Sequence, residues 1–380
     1  MRAFNSKFIQ AVAFLSGMII GVGMFGIPFV FSRVGFWAGV VELVVLTGIV
    51  MLFHLMYGEV VLRTPVAHRL PGYAGLYGGK KLEILSSASY LFGISGAMLA
   101  YVLIGGTFLG GLAGISVFTG SIFFLVGGIV ITFFNLRIEA EANYILTIVM
   151  AILIFVLVGL TLPHVEPANL AGFSPAYLFL PYGVLLFSLS GGIVIPEIVE
   201  FLGDEKKKLK KVIIIGSLIP MAVYFLFAFG VVGTLGGATS GEAIAGLLPV
   251  LGERVVQIGN GIGLLATFTS FVMLGFVLEG TLKSDFGFSR YPAWLIASLV
   301  PVVLFWTMGG ADFIRVIGVV GAVAIGIDST IALFVFLRAK AKGERAPEYS
   351  LRLPRFAAIL LGLMFVAGAA YELWGIFAGV

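Results

Sequence analysis

The chain is laid out as long runs of apolar residues separated by short polar stretches, and the lengths of those runs set the expected elements. A helix that crosses a bilayer needs about 20 apolar residues in succession. Eleven runs meet that length, at roughly 8–32, 35–62, 84–113, 115–134, 144–163, 178–202, 209–235, 253–281, 289–309, 312–338 and 354–377. Neighbouring runs almost touch around Gly114 and Gly310, which predicts tight hairpins there. The expectation is an all-α polytopic membrane protein with eleven transmembrane helices.

Lysine and arginine support that count. Cytoplasmic loops carry the excess of basic residues. With the N-terminus in the cytoplasm, 20 of the 23 Lys and Arg fall inside, among them Arg2, Lys7, Arg63, Arg69, Arg137, the cluster from Lys206 to Lys211, and the basic residues of 338–355. Only Arg33, Arg254 and Arg315 fall outside. One helix more or fewer would scramble this asymmetry. The C-terminus is then expected outside.

The run Gly23-Met24-Phe25-Gly26-Ile27-Pro28 returns in outline 168 residues later as Gly191-Gly192-Ile193-Val194-Ile195-Pro196. The same offset carries the second to fifth apolar runs onto the seventh to tenth. The chain therefore reads as a five-helix unit over 1–168, a second unit over 169–340, and one further helix in 341–380. Five is odd, so the second unit starts from the opposite side of the membrane and the repeats are inverted.

Composition narrows the class. The chain of 380 residues is 60% hydrophobic and 11% charged, with a mean hydropathy of +1.14. A soluble domain is about 25% charged, so little soluble mass is expected. The 52 glycines suit close helix packing in lipid. The absence of cysteine excludes disulfides, thiol catalysis and cysteine-bound metals. The net charge of +4 follows the topology and does not point to nucleic acid. No cleavable signal peptide is expected, because the run after Phe8 is too long and lacks a small-x-small cleavage site.

The candidate chemistry sits at the repeated motif. Three glycines in six residues (Gly21, Gly23, Gly26) and then Pro28 do not hold a continuous helix ladder. Backbone groups freed in hydrocarbon survive only where they line a cavity or bind something. The half-helix starting near Gly26 or Ile27 would offer free N–H groups and a positive dipole end to a carboxylate. The half-helix ending near Ile20 would offer carbonyls to an ammonium or a cation. The second break has Phe187, Ser188 and Ser190 just before it. A plain glycine-kinked helix, and serines bonded back to their own helix, are the alternative readings. In the eighth run, Ala266, Thr269 and Ser270 present three oxygens on one face. With carbonyls of Ile19 and Ile20 they make a candidate sodium site, hard cations preferring oxygen; hydroxyls gluing helices together is the alternative.

Two inverted five-helix repeats with broken first and sixth helices resemble the leucine-transporter fold of the amino acid–polyamine–organocation superfamily. The Ala-x-x-Thr-Ser run at Ala266, Thr269 and Ser270 resembles that fold's second sodium site. Phe187-Ser188-Leu189-Ser190 resembles its sixth-helix substrate segment. Within the superfamily, the eleven helices, Ile195-Pro196 and Thr269-Ser270-Phe271 are similar to the aromatic and hydroxy amino acid permeases and the wider amino acid/auxin permease family. Gly191-Gly192 stand where those permeases usually carry a bulkier residue, which leaves the size of the substrate open. The resemblance implies a secondary, cation-coupled amino acid transporter of the cytoplasmic membrane, for neutral or aromatic amino acids, driven by sodium or a proton and needing no other cofactor. A non-transporting amino acid sensor, or a carrier of another small solute, is the alternative. The carboxylate is expected at Gly21, Val22 and Gly23. The ammonium is expected at Ile19, Phe187 and Ser188, and the rest of the pocket at Ile20, Tyr101, Ser190 and Gly191, with Gly105 and Gly106 shaping it.

Ionisable residues within the spans are functional candidates. Glu197 follows the second break and is expected to gate, carry a proton or pair with a substrate ammonium; a vestibule carboxylate paired with a lysine of 206–211 is the alternative. Asp328 in the tenth run is a gating or proton-linked candidate. His54 reads as a packed, solitary histidine. With only His54, His68 and His164, none at metal-ligand spacing, the chain is not expected to be an enzyme.

Overall fold

A computed structural model describes residues 6–66, 68–134, 140–284, 287–308, 310 and 312–378. Arg2 and Arg137, both counted among the inside charges, lie outside these residues. Among the described residues all regular structure is helical. Seven helices are long and apolar enough to cross a membrane, and an eighth span is formed by the pair Lys7–Ile19 and Val22–Val34, bent by 49°. Val117–Phe133 and Ile148–His164 are apolar but shorter.

The first apolar run is split into α1 (Lys7–Ile19) and α2 (Ile27–Val34), joined by a 3₁₀ turn over Val22–Gly26. α3 (Phe36–Arg63) follows across Gly35, whose φ of 105° suits glycine. The short α4 (Leu70–Gly78) was not expected; its nine residues, three of them glycine, fall far below a membrane-spanning length. α5 (Lys80–Ala113), α6 (Val117–Phe133) and α7 (Ala140–Thr161) complete the first half, and the tight hairpin at Gly114 is a left-handed cap with φ 66°. A single turn, α8 (Pro167–Leu170), leads into the second half.

There the sixth run is again split, into α9 (Leu180–Leu189) and α10 (Ile195–Leu202), joined by a 3₁₀ turn over Gly192–Val194. α11 (Leu209–Leu235), α12 (Leu248–Ser284) and α13 (Arg290–Met308) follow. α12 is interrupted at Gly252, with φ 76° and ψ 168°, so its regular part starts where the apolar run does. The tenth run comprises α14 (Phe313–Val319), a π-helical turn over Val320–Ile325, and α15 (Gly326–Lys342); α16 (Arg355–Ala378) closes the chain.

Two local features fix the helices around the breaks. Pro220 within α11 cannot donate to the carbonyl four residues earlier. That carbonyl, of Gly216, accepts the Ser16 hydroxyl of α1 at 3.2 Å. A Cβ on Gly216 would lie 2.8 Å from Leu15, so α1 and α11 meet at close range. At the other end of α3, fully buried Glu59 accepts from Arg63 at 2.9 Å, from the Ser350 hydroxyl at 3.0 Å and from the Leu351 N–H at 2.6 Å. The Tyr349 hydroxyl donates to the Leu55 carbonyl at 2.6 Å. The segment between α15 and α16 is thus stitched along the end of α3, satisfying a charge that would otherwise be buried alone.

Candidate functional site

The first break begins where α1 runs out of donors. Ile20 leaves helical geometry (φ −72°, ψ 80°), and Gly21 is extended (φ −120°, ψ −161°). The Gly21 N–H closes a tight turn onto the Ile19 carbonyl at 2.8 Å. Val22 and Gly23 open the 3₁₀ turn, so their N–H groups have no partner within it. The second break follows the same plan: Ser190 is extended (φ −71°, ψ 123°), Gly191 turns the chain (φ −150°, ψ 7°), and Gly192 and Ile193 open the next 3₁₀ turn. Both outgoing helices carry proline in their first turn, and they start at Ile27 and Ile195, 168 residues apart, the offset between the two copies of the sequence motif.

The two breaks pack on each other. A Cβ on Gly23 would lie 2.9 Å from the Cα of Ser188, and one on Gly191 would run into the Ile19 side chain. These two glycines hold equivalent places in the two copies of the sequence motif, and each admits the last turn of the helix that enters the other break, Ser188 of α9 and Ile19 of α1. The Ser188 hydroxyl bonds back to the Val184 carbonyl at 2.7 Å, the arrangement that was the alternative reading for the serines.

Between the breaks lies a cavity of about 220 Å³. Its wall includes Ile19, Gly21, Val22, Gly23, Tyr101, Phe187, Ser188 and Ser190, all candidates from the sequence. It also includes Asp328, on the helix that leaves the π turn. Asp328 Oδ1 is buried without a hydrogen-bond partner. The π turn adds Val320, Ala324 and Ile325 to the wall, and the Ser89 hydroxyl holds the Ala324 carbonyl at 3.2 Å; such turns commonly mark functional sites. The cavity extends toward half-buried Arg69 and Leu70, where Arg69 donates to the Tyr90 hydroxyl at 3.3 Å and to the Thr281 hydroxyl at 3.0 Å. On the opposite side of the breaks the space is filled. Phe25 meets Phe108 edge-on at 4.9 Å and Phe227 at 6.1 Å, and Gly183 lies against the backbone of Gly318 and Gly321.

The remaining candidates lie elsewhere. Ile20 lines a second, smaller cavity of about 50 Å³ together with Gly17, Ala266, Thr269 and Ser270. Ile19 instead lines the central cavity, and Gly191 sits in the contact with Ile19. Tyr101 lies near both sites, with Gly21 on one side and Ser270 on the other. Glu197 is exposed on the first turn of α10, outside the cavity wall, with Arg69 and Glu200 as charged neighbours. Gly105 and Gly106 face α6, against Phe124 and Ser121, and serve helix packing. Among the described residues no group of three or more His, Asp or Glu is placed to hold a metal ion.

Two residues serve the breaks in ways the sequence did not show: His54, read as packed, and Tyr224, not singled out. His54 on α3 is 5% exposed, and its Nε2 accepts the Gly191 N–H at 3.3 Å. Its neutral ring then carries the proton on Nδ1. It is packed, as expected, and in addition it satisfies an amide that the break frees. Tyr224 on α11 is fully buried, and its hydroxyl reaches the carbonyls of Ile19 at 2.5 Å and Ser188 at 2.8 Å. A signal existed in both cases: an ionisable residue in mid-span, and a tyrosine in an apolar run whose buried hydroxyl must find a partner.

A polytopic helical protein with two spans that unwind around a central cavity belongs among the membrane transport proteins. The chain belongs to the tryptophan/tyrosine permease family, whose sequence profile matches residues 5–371. It is 21% identical over 380 residues to glutamine transporter 2 of Aliivibrio fischeri, covering 96% of this chain and 98% of that protein. It is 24% identical over 409 residues to tyrosine-specific transport system 2 of Haemophilus influenzae, covering 98% of each. Among solved structures it superposes on MhsT in complex with L-phenylalanine with a TM-score of 0.68 at 15% identity, covering 96% of this chain and 98% of that one. That likeness shows the fold, which is of the leucine-transporter type. The protein is an integral protein of the cytoplasmic membrane and not an enzyme.

Proposed function

We propose that this permease is a secondary active symporter that carries a neutral or aromatic amino acid, with its two chain breaks gripping the zwitterion. The observation that carries the reading is the cavity walled by both breaks at once. The Val22 and Gly23 N–H groups suit a carboxylate, and the carbonyls of Ile19 and Ser188 suit an ammonium. Relatives named for glutamine and tyrosine transport support an amino acid as the cargo.

The coupling cation, sodium or a proton, belongs at the small cavity lined by Ile20, Ala266, Thr269 and Ser270. A cation there ties α1 to α12, steadies the first break and so favours substrate. Thr269 Oγ1 donates back to the carbonyls of Leu265 and Ala266 at 3.0 and 3.1 Å, so its lone pairs stay available to a cation.

The architecture in this reading is eleven spans in two inverted repeats, helices 1–5 and 6–10, with the N-terminus inside. Dividing the segment Leu180–Ala238 into two spans, and adding the bent first pair and the two shorter apolar helices, supports that count. The cavity end at Arg69 then faces the cytoplasm, and the aromatic packing of Phe25, Phe108 and Phe227 closes the outer side. Transport proceeds by opening that outer packing while the inner end closes.

The test is uptake by purified protein in liposomes, using a panel of labelled amino acids with sodium and pH gradients imposed separately. At least one neutral or aromatic amino acid is expected to accumulate under one gradient. Binding without flux would favour the sensor, and neither binding nor flux across the panel would defeat the amino acid reading.

A further inference from the structure

Three oxygens converge behind the breaks: the carbonyls of Ile19 and Ser188 and the hydroxyl of Tyr224. Tyr224 is fully buried and is not part of the cavity wall, whereas Ile19 and Ser188 both are. A phenol has one proton. That proton serves one of the two carbonyls at a time, so the other needs a donor of its own. The Ile19 carbonyl has a second donor in the Gly21 N–H at 2.8 Å. The Ser188 carbonyl lies one residue before the end of α9, where the helix no longer supplies a partner four residues on. A carbonyl left unpaired in hydrocarbon is costly.

We propose that Tyr224 is a positioning residue for the substrate's ammonium group. Its hydroxyl holds one carbonyl from each break at a common point, from the side away from the cavity. The ammonium brings three N–H donors to the cavity face of the same two residues, where each carbonyl oxygen offers a second lone pair. Before substrate arrives, Tyr224 ties the breaks together with one proton for two acceptors. Once the ammonium takes the Ser188 carbonyl, the phenol proton is free to settle on Ile19. The two unwound segments are thus linked by the binding event itself. This rests on the amino acid reading above, and it adds a residue that never touches the cargo.

The test is Tyr224→Phe, which removes one oxygen atom and keeps the ring. Uptake of the best amino acid is measured alongside competition by its α-hydroxy acid analogue, which has the same side chain and carboxylate and no ammonium. The KM of the amino acid is expected to rise roughly 10- to 100-fold, with kcat changed much less. The inhibition constant of the α-hydroxy acid is expected to stay within about threefold of wild type, since it does not use the ammonium site. An unchanged KM, or an equal loss for both compounds, overturns the proposal, and the second result marks Tyr224 as structural only. If the variant does not reach the membrane, wild-type protein still decides: an α-hydroxy acid that binds as tightly as the amino acid removes the ammonium site and the proposal with it. Wild-type protein that takes up no amino acid defeats the transport reading instead, so the two failures are distinguishable.

Discussion

Gly23→Val is expected to lower amino acid uptake by roughly 100-fold while the protein still inserts into the membrane. The reason is where the new atoms would fall. A Cβ at position 23 lies 2.9 Å from the Cα of Ser188, which is backbone and has no rotamer to change. The two breaks must then move apart, and the cavity they share loses its shape. Overpacking of this kind costs about 1–3 kcal/mol or more, and valine adds two methyl groups beyond the first clash. The equivalent position in the other break behaves differently. A Cβ on Gly191 would run into Cγ1 of buried Ile19, a β-branched side chain that must shift, rather than into backbone, so Gly191→Ala is expected to lower uptake less than Gly23→Val. The check is the initial rate of uptake, normalised to protein in the membrane. Gly23→Val uptake within about threefold of wild type would contradict the close contact of the breaks.

The second large effect is expected at the small cavity. Thr269→Ala combined with Ser270→Ala should remove the stimulation of uptake by an imposed gradient, so that the rate falls to that of liposomes with no gradient. Both hydroxyls line the cavity beside Ile20 of the first break, and both are lost without adding bulk. The structural alternative, that these hydroxyls only glue helices, predicts a loss of stability with coupling intact. The Thr269 bonds run within its own helix, to Leu265 and Ala266, which weighs against glue at that residue, whereas Ser270 bonds across to Tyr101 of α5, so the readout is coupling and not stability alone. Gradient-driven uptake at the wild-type rate in the double variant would remove the cation site from this cavity.

How much of this was legible in the sequence depends on whether the cause is local. The breaks were legible because glycine and proline act through the backbone at their own positions. The outgoing helices start at Ile27 and Ile195, where the Gly-x-x-x-Ile-Pro copies put them. The spans were legible from the lengths of the apolar runs; α11 begins and ends where its run does. The short α4 and the π turn in the tenth run carry no such signal, since neither changes the hydropathy of its segment.

Residues that act across the fold were harder to read. Small residues close to a break can serve either a pocket or a helix contact, and Gly105 and Gly106 serve the contact with α6. Tyr224 stands 205 residues from Ile19, and His54 stands 137 from Gly191. Their partners are backbone groups freed by the breaks, and no spacing rule in the sequence joins them. What the sequence does offer is the demand: each break frees donors and acceptors that lipid cannot satisfy, so buried polar side chains in nearby spans are the places to search for partners.

The most direct measurement is an experimental structure of the purified protein with a transported amino acid bound. The carboxylate is expected within about 3.2 Å of the Val22 and Gly23 N–H groups, and the ammonium between the carbonyls of Ile19 and Ser188. An amino acid seated outside this cavity, or α1 joined to α2 and α9 to α10 as continuous helices, would contradict the proposal that two unwound segments grip the cargo.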